Sequence, residues 1–467
     1  MSDHNHGFKQ SLGLFDATMI VAGSMIGSGI FIVSADITRN VGSAGWLILV
    51  WVITGFMTIS AAVSYGELSG MFPRAGGQYV YLKEAYNPLF GFLYGWSVFM
   101  IIQTATIAAV GVAFSKFLAY IVPQVSEDIV VYSIGNLNIS PAQLVAIFVI
   151  FFLTFINTFG VHSGKLIQST FTVAKLLSLF GLIIFGFILM NKNVWNANWT
   201  NAWEIHSIDS TESYALKAAL SAIAAAMAGS IFASDAWNNV TFIAGEIRKP
   251  QRNIGLALFL GTLIVSLVYI TTNVMYTAVL PMNEIATAEK DRVAVDVSIA
   301  LFGNFGTVVI ALMLMISTFG CNNGLILSGA RVYFTMAKDG LFFKPAGSLN
   351  RFSVPQWALW AQCIIACVWS ISGKYSDLLE MISFVVVIFY VMTIAGIFIL
   401  RKKNPNAARP YKVFAYPVLP IIYILMGIAF CVLLIEYKPK FTWPGLIITL
   451  IGIPIYYIAV AARKRNV

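Results

Sequence analysis

Apolar stretches of roughly 20 residues, each long enough to cross about 30 Å of hydrocarbon as a helix, recur along this chain with short polar joints between them. Twelve are counted, near 14–38, 44–70, 88–122, 141–160, 166–190, 215–243, 254–280, 303–335, 355–372, 378–400, 413–435 and 442–462. A chain built this way must satisfy its backbone inside a bilayer, and helices do so within each segment. Of the 467 residues 59% are hydrophobic and 10% charged, which excludes an ordinary soluble domain. The fold class expected is an all-α integral membrane protein with twelve transmembrane helices. The longest non-apolar stretch, 191–214, is too short for a core of its own, so 1–467 reads as one polytopic domain. The first eleven residues are polar and no small-residue cleavage site follows them, so span 1 is read as permanent.

Charge sets the expected orientation. With both termini inside, the larger share of the 29 Lys and Arg falls on the inner side, in clusters such as Arg248, Lys249 and Arg252, then Arg401, Lys402 and Lys403, then Arg463, Lys464 and Arg465. The positive-inside rule places that side in the cytoplasm of a plasma membrane, here read as a bacterial inner membrane. The net charge of +9 therefore reports topology, and lipid rather than nucleic acid is the expected surrounding. Cys321, Cys363, Cys367 and Cys431 all fall within spans and read as packing residues. His4 and His6 lie in the tail, His162 in an inner loop and His206 in an outer one, a scatter that suggests no metal cage and no cofactor.

Two spans are interrupted. Span 1 carries GSMIGSGIF from Gly23 to Phe31, and a glycine inside a helix costs roughly 1 kcal/mol relative to alanine. Unwinding at Ile26, Gly27, Ser28 and Gly29 would free the amides of Ser28, Gly29 and Ile30 for a carboxylate, while the carbonyls of Ala22 and Gly23 would face an ammonium. The competing reading is that Gly23 and Gly27, spaced as GxxxG, let another helix approach closely. Span 6 carries FASDAWNN from Phe232 to Asn239, where Phe232 and Ala233 are followed by Asp235 at the end of an apolar stretch. Asp235 must be satisfied at membrane depth. A local backbone cap is preferred for it over direct solute contact, and Phe232 is read as an aromatic lid. Breaks at the start of spans 1 and 6, about two hundred residues apart, are what a five-plus-five inverted repeat places in corresponding positions. The repeats would be 1–190 (spans 1–5) and 215–400 (spans 6–10), with 413–462 (spans 11 and 12) accessory.

Lys175 stands well inside span 5, where a lysine costs about 2.5–3.5 kcal/mol, so it is a functional candidate. Snorkelling to the interface is the competing role, and the depth argues against it. Ser317 opens the polar run STFGCNNG of span 8, able to hydrogen-bond span 1 or Lys175, or to act as interhelical glue. The segment GVHSGKL, Gly160 to Leu166, imitates a phosphate loop but is one residue short and has Leu166 where a magnesium-binding hydroxyl belongs, so it is read as a loop between spans.

Taken together, GSMIGSGIF, the segment YGELSGMFPRAGGQYVYLKEAYNPLFGFLYGW, FASDAWNN running into GEIRKPQRNI, and SGARVYFTMAKDG resemble the amino acid, polyamine and organocation superfamily, most closely its L-amino acid transporter branch. The resemblance spans nearly the whole chain in order. It implies the inverted-repeat fold of sodium-coupled amino acid carriers with discontinuous helices 1 and 6, a solute carboxylate at Ser28 and Gly29, its ammonium at carbonyls of spans 1 and 6, and Phe232 as a gate. It also implies that Lys175 stands where sodium-coupled relatives hold sodium, so that transport needs none. Two departures stand out. The loop from Ile121 to Ser140 lacks the cysteine that bonds an ancillary glycoprotein in eukaryotic members, so no disulfide-linked partner is expected. Asp235 and Ala236 precede Trp237 where relatives often have a glycine pair, and a compact pocket would suit small neutral amino acids.

The leading expectation is a sodium-independent amino acid exchanger working by alternating access, not an enzyme. A proton-coupled importer in which Lys175 gains and loses a proton is the alternative among carriers. A membrane enzyme lacks an ionisable pair around His162, and a channel or nutrient sensor is separable by flux.

Overall fold

The computed structural model describes Phe8 and residues 10–134, 137–206, 214–372 and 375–465. His4 and His6 lie outside the described residues, as do the side chains of His162 and of Arg463, Lys464 and Arg465. The chain is a nearly all-helical bundle, and its apolar helices follow the order expected. In chain order they are α1 (Leu14–Met25 continuing as Gly29–Val41), α2 (Ala44–Met71), α3 (Pro88–Ile121), α4 (Pro141–Asn157), α5 (Val161–Ile188) and α6 (Leu216–Ala233, resuming as Asn239–Phe242). Then come α7 (Pro250–Val279), α8 (Val293–Lys338), α9 (Gln356–Ser372), α10 (Tyr375–Lys403), α11 (Val418–Tyr437) and α12 (Pro439–Arg465). Among the described residues nine helices are long and apolar enough to cross a membrane, the bent halves of α1 make a tenth, and α4 and α9 are shorter apolar helices.

Local chemistry explains where these helices begin. Asn87 accepts hydrogen bonds from the amides of Leu89 and Phe90 with Pro88 at the first helical position, and Ser140 and Gln143 form a reciprocal capping box ahead of α4. Three differences from the sequence reading concern ends. Helix α5 starts at Val161, so GVHSGKL is the first turn and a half of a helix entered through Gly160 at φ 119°, not a loop. Helix α8 starts at Val293 and bends at Gly303 (φ 63°), the residue where the apolar stretch begins. The joint between α3 and α4 holds a small hairpin, Tyr132–Ile134 paired with Leu137–Ile139, that no alternation in the sequence announced.

Polar clamps close the bundle at both ends. At the end bearing the N-terminus, the amides of Ser11 and Leu12 donate to the Glu246 carbonyl at 3.0 Å, and the Arg248 amide donates to the Leu12 carbonyl at 2.8 Å. Beneath this strap, Arg331 of α8 pairs with Glu246 at 2.9 Å with both side chains buried. At the opposite end Arg39 of α1 bonds Asp291 at 2.7 Å and the Ala286 carbonyl at 2.8 Å, while Arg292 stacks on Tyr120 at 3.8 Å.

A buried pair is most costly when only one partner is removed, about 3–5 kcal/mol. Arg331→Met should therefore lower the thermal unfolding midpoint of the purified protein sharply, and adding Glu246→Gln should recover most of the loss. A double variant no more stable than the single one would contradict this origin.

Candidate substrate site

Helix α1 stops at Met25, where Ile26 turns out of the helix at ψ 86°, and resumes at Gly29 on an axis bent by 42°. The break removes intrahelical partners from a run of carbonyls that no water in hydrocarbon would satisfy. Side chains from three other helices take them up. The Lys175 ammonium of α5, 1% exposed, donates to the Gly23 carbonyl at 2.5 Å and the Ile26 carbonyl at 2.6 Å. From α8, the Cys321 thiol donates to the Ser24 carbonyl at 3.0 Å, and the Ser317 hydroxyl lies 3.3 Å from the Ile26 carbonyl and 3.4 Å from that of Gly27. From α7, the Tyr269 hydroxyl lies 2.9 Å from the Met25 carbonyl. Every carbonyl from Gly23 to Gly27 thus faces a donor.

The Lys175 ammonium points into the bundle, not along α5 toward an interface, and its charge is solvated by carbonyl dipoles, the strong class of hydrogen bond. Ser317 bonds the break in span 1. The two carbonyls expected to face a solute ammonium each hold a donor here: that of Ala22 accepts the Ile26 amide at 2.9 Å, and that of Gly23 accepts from Lys175. The close-packing reading of the glycines holds beside the unwinding. A Cβ on Gly23 would lie 2.1 Å from Thr172 Oγ1 of α5, and one on Gly27 would lie 3.0 Å from Cys321 Sγ.

Beyond the break, Ser28 is buried, and Gly29 and Ile30 open the second half of α1, where the first amides of a helix have no acceptor within it. This half meets α6 directly: a Cβ on Gly29 would lie 2.4 Å from the Ala233 Cβ. Helix α6 stops at Ala233, whose carbonyl lies 3.1 Å from the same Tyr269 hydroxyl that serves Met25. One hydroxyl with a single proton therefore bridges both breaks. Phe232 is buried, and its carbonyl accepts the Asp235 amide at 3.1 Å. Ala236 sits at φ 65°, a conformation that favours glycine, at one of the two positions where the resemblance leads one to expect glycine.

Asp235 does more than cap locally. Alongside the Ala236 amide, the Tyr390 hydroxyl of α10 donates to its carboxylate at 2.5 Å, tying the α6 break across the bundle. Trp237 is fixed beside it between Tyr65 at 4.8 Å and Tyr390 at 5.0 Å, centroid to centroid. A cavity of about 10 Å³, room for roughly one water, adjoins Asp235 and is lined also by Gln78, Tyr94, Gln103, Asn239 and Tyr390. Gln103 follows a π-helical turn at Val98–Ile102 and donates to the Leu325 carbonyl at 2.7 Å, and Asn238 donates to Gln78 at 2.9 Å. Sequence reasoning missed Gln78, Tyr94, Gln103, Tyr269 and Tyr390. Polar residues inside apolar spans were the available signal for the glutamine at 103. Nothing so local marks the tyrosines.

A family model described as amino acid permease matches residues 12–459. The chain is 28% identical over 469 residues to the serine/threonine exchanger SteT of Bacillus subtilis, with both chains covered completely. It is 30% identical over 459 residues to the mouse Asc-type amino acid transporter 1, covering 98% of this chain and 82% of that one. It is 29% identical over 457 residues to the human large neutral amino acids transporter small subunit 2, covering 97% and 81%.

A Cβ on Gly29 would meet Ala233 across the two breaks, so Gly29→Val, tested on variant protein first shown to be monodisperse, should abolish binding of whichever L-amino acid the unaltered chain binds best. Unchanged affinity, measured by calorimetric titration, would remove the Gly29–Ala233 junction from the site.

Proposed function

The chain belongs to the amino acid permease family, and we propose that it exchanges small neutral amino acids across the plasma membrane, without sodium, by alternating access. The observation that carries this reading is the Lys175 ammonium on the Gly23 and Ile26 carbonyls, with Ser317 on the Ile26 and Gly27 carbonyls. A fixed cation there occupies the oxygens that a coupling cation would need and repels a second positive charge. Without a coupling ion, the gradient of the partner solute supplies the energy.

In this proposal the amides of Ser28, Gly29 and Ile30 hold the solute carboxylate at a helix N-terminus. The ammonium goes to the α6 break near Phe232 and Ala233, since the carbonyls of α1 are engaged, and Phe232 acts as the gate. The cavity beside Asp235 takes the solute side chain. Its small volume and its lining of carboxylate, amide and hydroxyl groups favour a short side chain that carries a hydroxyl. A relative named as a serine/threonine exchanger supports the same substrate class. The moving parts are proposed within repeats 1–190 and 215–400, with 413–462 accessory and both termini cytoplasmic. The stretch 121–140 contains no cysteine, so we propose that the chain works without a disulfide-linked ancillary subunit.

Proteoliposomes give the test. Labelled serine, threonine, alanine, leucine, arginine and glutamate should enter vesicles only when these are preloaded with unlabelled substrate, at equal rates in sodium and choline media, with serine and threonine fastest. Uptake into empty vesicles on an inward proton gradient would instead establish a proton-coupled importer. Binding with no flux under either condition would establish a sensor.

A further inference from the structure

A groove of about 980 Å³ lies away from the two breaks, between α2 and α7 at the end bearing the N-terminus, at the top of the volume range of small-molecule sites. Its floor depends on glycine: Gly66 of α2 and Gly255 of α7 face each other, so that a Cβ on Gly66 would lie 3.7 Å from the Gly255 Cα. Its third wall is the connection between α10 and α11, seated on α2 so closely that a Cβ on Gly66 would lie 3.0 Å from the Tyr411 ring. That connection is pinned. Glu67 accepts two hydrogen bonds from Arg401 at 3.0 and 2.6 Å and the Val413 amide at 2.8 Å, and Arg409 stands 3.3 Å away. The groove is therefore preformed.

Its chemistry is divided along its length. Phe56 and Val63 of α2, Leu256 and Phe259 of α7, and Phe414, 74% exposed, form an apolar trough. From Arg252 to Phe259 the trough runs about 10 Å along α7, within one leaflet of about 15 Å. The mouth is basic. Arg252 lines it, with Arg248 and Lys249 just ahead of α7 and Lys412 on the connection, all exposed. Among the described residues none of these four side chains forms an ion pair, whereas Arg401 and Arg409 are both held by Glu67. An apolar trough open to acyl chains, ending in unneutralised cations at headgroup level, has the complement of one kind of molecule.

We propose that this groove binds an anionic phospholipid of the leaflet on the N-terminal side, its phosphate on Arg252 and one acyl chain along Phe56, Leu256 and Phe259. The site is separate from the proposed solute site and does not depend on that reading. Native mass spectrometry of the full chain in detergent tests it, with phosphatidylglycerol, phosphatidylcholine of the same acyl chains, and inorganic phosphate as probes. Phosphatidylglycerol should be retained about fivefold more than phosphatidylcholine, the ratio that ~1 kcal/mol per basic residue implies, and phosphate should leave no adduct. Arg252→Gln should bring the ratio near one, while Arg252→Lys and the distant Lys344→Gln keep it, which separates lost recognition from lost folding. Equal retention of the two lipids by the unaltered chain, or an undiminished preference in Arg252→Gln, would overturn the proposal. Phosphate bound as tightly as phosphatidylglycerol would replace the lipid with a simple anion.

Discussion

One buried ammonium holds the broken helix together. Opening α1 between Met25 and Gly29 leaves carbonyls that hydrocarbon cannot satisfy, and Lys175 answers two of them while finding in them the only solvation a mid-membrane charge can have. Neither the break nor the lysine would be tolerable alone. The rest of the centre follows from that bargain of dipole and charge: Gly23 lets α5 come close enough to deliver Lys175, Gly27 lets α8 come close enough to deliver Cys321 and Ser317, and α7 delivers Tyr269.

Tyr269 then couples the two halves. Its hydroxyl reaches Met25 in α1 and Ala233 in α6, and Gly29 touches Ala233 with no room for a side chain between them. The second break is anchored on its far side by Asp235 on Tyr390 and by Trp237 between Tyr65 and Tyr390. The N-terminal strap on Glu246 ties the bundle at one end, and Arg39 on Asp291 ties it at the other. These contacts are hydrogen bonds and ion pairs, which exchange partners at lower cost than repacking an aromatic core.

Much of this was legible in the sequence because a bilayer leaves few options. The apolar stretches became helices in the same order, nine or ten of them among the described residues long and apolar enough to cross a membrane, and the glycines after Gly23 and the polar run after Phe232 marked both breaks, since such residues are costly inside hydrocarbon helices. Lys175 was legible for the same reason. Hydropathy reads the span and not the helix, which is why α5 begins at Val161 inside a segment that looked like a loop. The partners of the break were less visible. Tyr269 and Tyr390 are ordinary amphipathic residues until the fold sets them against carbonyls and a carboxylate, and the π-helical turn that presents Gln103 leaves no mark in composition. The bonds now made by the carbonyls of Ala22 and Gly23 were not readable either, because the sequence shows that a break frees carbonyls but not which donors reach them.

The central claim is that the Lys175 ammonium is needed to keep the break competent for movement rather than to touch the solute. Lys175→Met keeps the bulk of the side chain and removes the charge, so exchange rate and solute affinity measured on the same purified variant test it directly. The account predicts exchange reduced by about tenfold or more, equivalent to at least ~1.4 kcal/mol of barrier, with affinity changed far less. Exchange at the rate of the unaltered chain would contradict it.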